Sequence, residues 1–294
     1  MSRVKTAVIT AGGFGSRFLP ATKSIPKELI PLINKPIIYY IVEQCVAAGI
    51  EHVIIVNKPE NSTIEDFFSP NAALEDYLIS KGKTKELDEV RRISSQVKIT
   101  VVNQDETLPY GNARPLYTVR DLVGNEPFVY SYGDDLIFGD GAGIPELVDV
   151  YEKTGADAVL MCTEVPDSMV EKVGIIQPDP LDATRVKSII EKPSLAEAPS
   201  RLASVAAYVF TSQIFDHLDP SNLGNIGEFY LQAGLDEIIH TGSVRACVTK
   251  GKWLTNGDPL NYLKSTVEIA LSRDDVKTEF LAFLKEKLAQ NNTN

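Results

Sequence analysis

A guanidinium at Arg17 and an ammonium at Lys27 follow a glycine-rich bend, Ala11-Gly12-Gly13-Phe14-Gly15-Ser16. Glycine tolerates positive φ and lets a ligand approach the backbone, so successive N–H groups there can surround phosphate oxygens. Two cations beside such a bend suit a polyanion. A strand, a surface turn and solvated charges would be spelled the same way. Further on, Phe128-Val129-Tyr130-Ser131-Tyr132 runs into Gly133-Asp134-Asp135. A carboxylate at the strand edge where open α/β sheets bind ligands suits Mg2+, a hard cation that shares its shell with substrate phosphates. Read alone, Asp134 and Asp135 form an Asx turn leaving the strand. Glu191-Lys192-Pro193, likewise read alone, is a solvated loop.

Two familiar glycine motifs do not fit the bend. A P-loop needs Lys-Ser/Thr after its last glycine, and Gly15 is followed by Ser16-Arg17. A dinucleotide turn must run straight into a helix. Pro20, Pro26, Pro31 and Pro36 interrupt the next stretch, and proline inside a helix costs roughly 3 kcal/mol. The segment is therefore expected to be an extended loop carrying its cations, which argues against an NAD-binding dehydrogenase.

The elements that must position these groups alternate. Apolar, β-branched runs predict strands at 4–10, 53–56, 97–102, 128–132, 158–162, 174–177, 186–191 and 204–210. Pro36 opens a helix with Ile38, Ile41, Val42 and Cys45 on one face, ended by Gly49. Residues 72–93 read as one or two surface helices, 113–122 as a short helix with Pro115 in its first turn, and 144–151 as a helix stopped by Gly155. Asp258-Pro259 caps a helix with Leu260, Leu263 and Val267 inward. A last amphipathic helix carries Val276, Phe280, Phe283, Leu284 and Leu288 and is expected to pack on its own chain, with 291–294 frayed. Strand, helix, strand in this rhythm indicates a parallel sheet with right-handed crossovers.

The chain has 294 residues, 44% of them apolar and 23% charged, which suits one large α/β domain. A net charge of -11 argues against a nucleic-acid surface but not against binding a nucleotide, which needs only a few local cations. Cys45, Cys162 and Cys247 lie far apart in apolar settings and read as buried, reduced thiols. The three histidines are too scattered for a zinc site. No signal peptide or membrane span is evident, so the expected location is cytoplasmic.

From 4 to about 270, the order of motifs resembles the sugar-1-phosphate nucleotidylyltransferases. The pattern is Gly-x-Gly-Ser-Arg-x-x-Pro-x-Thr, then Pro-Lys-Glu-x-x-Pro, then Lys-Pro-x-Ile. The spelling Arg17-Phe18-Leu19-Pro20-Ala21-Thr22-Lys23-Ser24-Ile25-Pro26-Lys27-Glu28 is most similar to the uridylyltransferase branch. The resemblance implies an α/β/α sandwich with a mostly parallel, Rossmann-like sheet. It also implies one nucleotidylyltransferase domain over 1–294, with a small sugar-binding extension and C-terminal helices at about 258–290. It implies Mg2+ on Asp134, with Arg17 and Lys27 as the catalytic clamp on the phosphates. Nucleotide contacts fall to Ala11, Gly12, Gly13, Gln104, Pro109 and Gly111. The sugar phosphate falls to Gly174, Glu191, Lys192 and Glu228. The implied partners are UTP and a sugar 1-phosphate, glucose 1-phosphate first, in a homodimer or homotetramer.

Several positions depart from that pattern. The uracil loop is Leu108-Pro109-Tyr110-Gly111-Asn112-Ala113, and Pro109 has no N–H to offer a base. Ala206-Ala207-Tyr208 stands for Gly-x-Tyr and adds a methyl near the sugar. Thr255, in Trp253-Leu254-Thr255-Asn256-Gly257-Asp258, replaces the second metal aspartate and cannot supply its charge. Asp258 reads as a helix cap. These departures keep two alternatives open: the same chemistry with another nucleotide such as dTTP or another sugar, and a weakly catalytic regulatory binder of nucleotide sugars.

Overall fold

Nine strands form one sheet among the residues that the computed structural model describes, 3–224 and 227–291. The first is β1 (Thr6–Ala11), with Ala7, Val8 and Ile9 fully buried. The proline-rich stretch behind it is more ordered than the expected extended loop. Three single 3-10 turns, Ser16–Phe18, Ala21–Lys23 and Lys27–Leu29, fit between the prolines, where no longer helix could continue. A two-residue rung pairs β2 (Pro31–Leu32) with β3 (Lys35–Pro36). Next, α1 (Ile37–Ala47) buries Ile37, Ile38, Ile41, Val42 and Cys45, and Gly49 at φ 77° turns the chain away.

After β4 (His52–Asn57) come α2 (Thr63–Phe68), α3 (Ala72–Ser80), α4 (Thr84–Arg92) and β5 (Lys98–Asn103). The helix expected over 113–122 is two short ones, α5 (Arg114–Thr118) and α6 (Arg120–Val123), because Val119 leaves helical geometry. Then β6 (Phe128–Tyr132) is followed at once by β7 (Asp135–Phe138), and α7 (Ile144–Thr154) ends on a left-handed Gly155. Next come β8 (Ala158–Glu164), α8 (Asp167–Val170), β9 (Gly174–Pro178), β10 (Val186–Glu191) and β11 (Leu202–Phe210). The sequence reading placed no element at α9 (Leu231–Thr241), β12 (Val244–Val248) or β13 (Lys252–Thr255). The chain closes with α10 (Pro259–Ser272), capped by Asp258 through the N–H groups of Leu260 and Asn261 (3.0 Å each), and α11 (Lys277–Asn291). Packing of α11 on its own chain is slight: it lies along α10 with no residue fully buried. Past Asn291, the tail expected to fray lies outside the described residues.

The sheet order is β10-β9-β11-β6-β1-β4-β5, with β8 beside β11 and β12 beside β8. From the pairings, β1, β4, β5, β6, β8, β9 and β12 run one way, and β10 and β11 run against them. One apolar cluster covers the face under α1 and α7, and a second covers the face under α5 and α9. This is the expected sandwich. All three cysteines are free and buried. Among the described residues no helix is long and apolar enough to cross a membrane.

Candidate functional site

The C-terminal ends of β1 and β6 carry the first pair of groups. Gly133 N–H donates to Thr10 O (2.9 Å), so Asp134 leaves the sheet edge beside the glycine bend. Lys27 Nζ donates to Asp134 Oδ2 at 2.5 Å. Burial opposes the Lys27 charge, but the carboxylates of Asp134 and Glu28 outweigh it and hold the pKa above its ordinary value. Arg17 is exposed, and its Nη1 donates to Gly257 O at 3.2 Å. A methyl at Gly257 would lie 3.7 Å from Arg17 Nη1 and 3.8 Å from Asp134 Oδ2. The two cations therefore converge on one spot, where Asp134 and the loop before α10 meet.

Glycine is required twice among the residues expected to meet the nucleotide. A Cβ at Gly12 would stand 2.7 Å from Gln104 Oε1, so Gln104 lies directly on the bend. A Cβ at Gly111, whose φ is 151°, would stand 2.1 Å from Phe229 O. There the loop expected to meet the base is stitched to the chain before α9. Phe229 N–H donates to Tyr110 O (2.7 Å), Ala113 N–H donates to Phe229 O (3.1 Å), and Asn112 Oδ1 accepts Leu231 N–H (2.8 Å). Pro109 O is taken by Arg114 Nε at 3.0 Å, so Pro109 offers neither an N–H nor an unengaged carbonyl.

The second region is a cavity of about 660 Å³ between β9, β10, β11 and α9. Gly174, Glu191 and Lys192, three of the residues expected to meet the sugar phosphate, all line it. Glu191 Oε2 would be 3.1 Å from a methyl at Gly174, which explains the glycine. Glu228 does not reach this wall. Its carbonyl accepts Gly224 N–H (2.9 Å), and its carboxylate interacts with Tyr230, which does line the cavity. Ala206 takes φ 57°, the left-handed region that its family resemblance fills with glycine, at an irregularity in β11 between Ser204 and Tyr208. Tyr132, Asp135, Tyr208 and Trp253 also form walls; of these the sequence reading placed only Tyr208 near the sugar, through the Gly-x-Tyr resemblance. Trp253 is the only tryptophan of the chain, which was a usable signal.

Two carboxyls sit beneath the converging cations. Glu28 is 1% exposed, and burial, partly offset by Lys27, pushes it up to about 7. Asp135 faces Thr255 across the β7–β13 ladder. Burial and the charge of Asp134 push Asp135 up to about 7, against a hydrogen bond from the Thr255 hydroxyl. Among the described residues, no three of His, Cys, Asp and Glu come together around one point. Asp134 presents its carboxylate beside the glycine bend, on Lys27. That donor set still fits Mg2+, which is held by one or two carboxylates plus phosphate oxygens and water.

The family model described as "Nucleotidyl transferase" matches residues 6–271. The chain is 38% identical over 288 residues to the UTP–glucose-1-phosphate uridylyltransferase of Staphylococcus epidermidis, covering 97% of this chain and 99% of that one. A solved structure of UTP-bound UGPase from Acinetobacter baumannii superposes with TM-score 0.86 at 31% identity, over 96% of this chain and 99% of that one. A UDP-glucose pyrophosphorylase complexed with UDP-glucose gives TM-score 0.80 at 29% identity, over 92% and 100% of the two chains.

Proposed function

We propose, from the premise that the chain belongs to the nucleotidyl transferase family, that it converts UTP and glucose 1-phosphate to UDP-glucose and pyrophosphate. The observation that carries this reading is the meeting of Arg17, Lys27 and Asp134 between the glycine bend and the cavity walled by Glu191 and Lys192.

An oxygen of the sugar phosphate attacks the α-phosphorus in line, and the bond to the bridging oxygen of the β-phosphate breaks. The nucleophile is already anionic, so the protein's task is alignment and charge neutralisation rather than proton transfer. Lys27 and Arg17 hold the phosphates of the nucleotide, with the N–H groups of the bend beneath. Lys192 holds the incoming phosphate, and Glu191 accepts sugar hydroxyls. Gln104, lying on Gly12, turns its amide to the base. Asp134 would hold Mg2+ together with phosphate oxygens and water, and Lys27 would then move from Asp134 to phosphate. When bound, that ion supplies a further positive charge against the developing negative charge.

Release of pyrophosphate from UTP and glucose 1-phosphate, with and without Mg2+, tests the reading. Turnover that needs Mg2+ and is lost in Asp134→Asn supports it. Tight binding of UDP-glucose with no turnover would instead mark a regulatory binder, and faster turnover with dTTP would reassign the base.

A further inference from the structure

We propose that Tyr132 is a positioning residue for the sugar. Its hydroxyl, with that of Ser204, fixes Tyr208 as a hydrogen-bond donor, and Tyr208 presents its proton to an oxygen of the sugar beside the acceptor Glu191. The role rests on the uridylyl-transfer reading. Tyr132, Glu191, Ser204 and Tyr208 all line the cavity of about 660 Å³.

The sheet brings the three hydroxyls together. β6 and β11 pair antiparallel with Tyr130 opposite Tyr208, so Tyr132, two residues on, shares their face. Its ring meets that of Tyr208 edge to face, with 6.1 Å between centroids and 84° between planes. The two hydroxyls are hydrogen-bonded. Ser204 arrives from the same strand as Tyr208. On a straight strand, residues four apart stand about 13 Å from each other, yet Ser204 Oγ donates to Tyr208 Oη at 3.4 Å. The irregularity of β11 between those residues, with Ala206 at φ 57°, and the reach of the phenol close that distance.

One proton is then left over. The hydroxyls of Ser204, Tyr132 and Tyr208 carry three, and the two hydrogen bonds among them use two. Ser204 and Tyr132 donate, so both lone pairs of Tyr208 are taken and the remaining proton is its own. Among the described residues no group of the protein accepts it. The third tyrosine of the face cannot take its place, because Tyr130 donates to Asn112 O at 2.9 Å.

The surroundings keep that proton in place. Tyr208 is buried, and burial together with the charge of Glu191 holds its pKa above the usual value. A buried donor left without an acceptor is costly, and an oxygen of a bound sugar relieves it. Glu191, on the same wall, accepts where Tyr208 donates. A fixed donor beside a fixed acceptor matches a polyol, whose hydroxyls do both. The sugar position that faces Tyr208 must therefore carry an acceptor oxygen.

The test is a double-mutant cycle of Tyr132→Phe and Tyr208→Phe in the full chain. It is read as the Kd for UDP-glucose by calorimetry and as the KM for glucose 1-phosphate with UTP saturating. Phenylalanine keeps each ring in its packing and removes only the hydroxyl. Tyr208→Phe should raise both constants about five- to tenfold, and Tyr132→Phe about three- to fivefold, as for neutral hydrogen bonds. Because Tyr132 acts through Tyr208, the double variant should match Tyr208→Phe within about twofold. Losses that multiply, or an unchanged Kd in Tyr132→Phe, overturn the positioning role. If the wild type releases no pyrophosphate, the uridylyl-transfer reading fails, and the cycle on UDP-glucose binding still decides. Coupled losses there support the role of Tyr132, and multiplied losses, or no binding by the wild type, overturn it.

Discussion

The two ends of the sheet handle charge in opposite ways. Where the strands run parallel, Lys27 is already fixed on Asp134 and Arg17 on Gly257 O, over a buried Glu28. Where β10 and β11 run against the rest, Glu191 and Lys192 are exposed and pair with each other at 3.2 Å. Non-glycine residues at positive φ occur on both sides, Ile33 and Glu60 on the first and Lys192 and Ala206 on the second, so backbone strain does not separate them. The proposed phosphate clamp holds its cations on partners of the protein's own, while the proposed sugar wall leaves Glu191 and Lys192 exposed to a substrate. Substitutions on the first side should therefore fall on the barrier, and on the second side on substrate affinity.

The largest test of that contrast is Lys27→Ala. Removing one preorganised charge from the clamp should raise the barrier by about 3–4 kcal/mol, several-hundred-fold in kcat, with the fold intact by circular dichroism. Near-wild-type turnover would show that the Lys27–Asp134 pair is only structural.

Glu28→Gln probes the floor of the same clamp. The folded pKa of Glu28 stands at about 7 against an ordinary 4.5, so between those values the folded chain keeps a proton that the unfolded chain has lost. Its contribution to stability therefore falls as pH rises through that window and stays reduced above it. At 1.36 kcal/mol per unit, the wild type should lose about 2–3 kcal/mol from this group between pH 4.5 and 7. Urea midpoints at pH 5 and pH 8 should show a smaller fall for Glu28→Gln. Equal falls would mean that Glu28 is ionised beneath Lys27.

The same contrast explains what was legible in the sequence. The proposed phosphate clamp is mostly one contiguous stretch, 11–36, in which glycines and prolines constrain the backbone locally, so motif reading pointed to Arg17 and Lys27, whereas Gln104, outside that stretch, came only from the family resemblance. The sugar wall is assembled from separated segments, at 174, 191–192, 204–208 and 230–236, which only the sheet order brings together. Leu231, Leu235, Ile238 and Ile239 have helical spacing, and α9 could have been found from it. β13 could not: four residues, Lys252–Thr255, carry too little pattern, and only their pairing with β7 reveals that Thr255 faces Asp135.

On the sugar side, Lys192→Ala should leave kcat within a few-fold and raise the KM for glucose 1-phosphate by about tenfold or more, the cost of one charged hydrogen bond at 1.5–3 kcal/mol. Steady-state kinetics with UTP saturating would separate the two. A loss confined to kcat would place Lys192 with the clamp and erase the distinction between the two regions.

The smallest effect expected is also the most specific to this chain. Ala206 holds φ 57° on the wall of the sugar cavity, a conformation that costs an L-residue roughly 1–2 kcal/mol. Ala206→Gly removes that strain and a methyl from the cavity wall, but frees the unfolded chain by about 0.4–1 kcal/mol. The net gain should lie between zero and about 1.6 kcal/mol, read as a slightly higher urea midpoint with an unchanged slope. Ala206→Val should do the reverse, because a β-branched side chain is poorly accommodated at positive φ. If both variants matched the wild type in stability and in KM for glucose 1-phosphate, the left-handed kink in β11 would be neither strained nor part of the sugar wall.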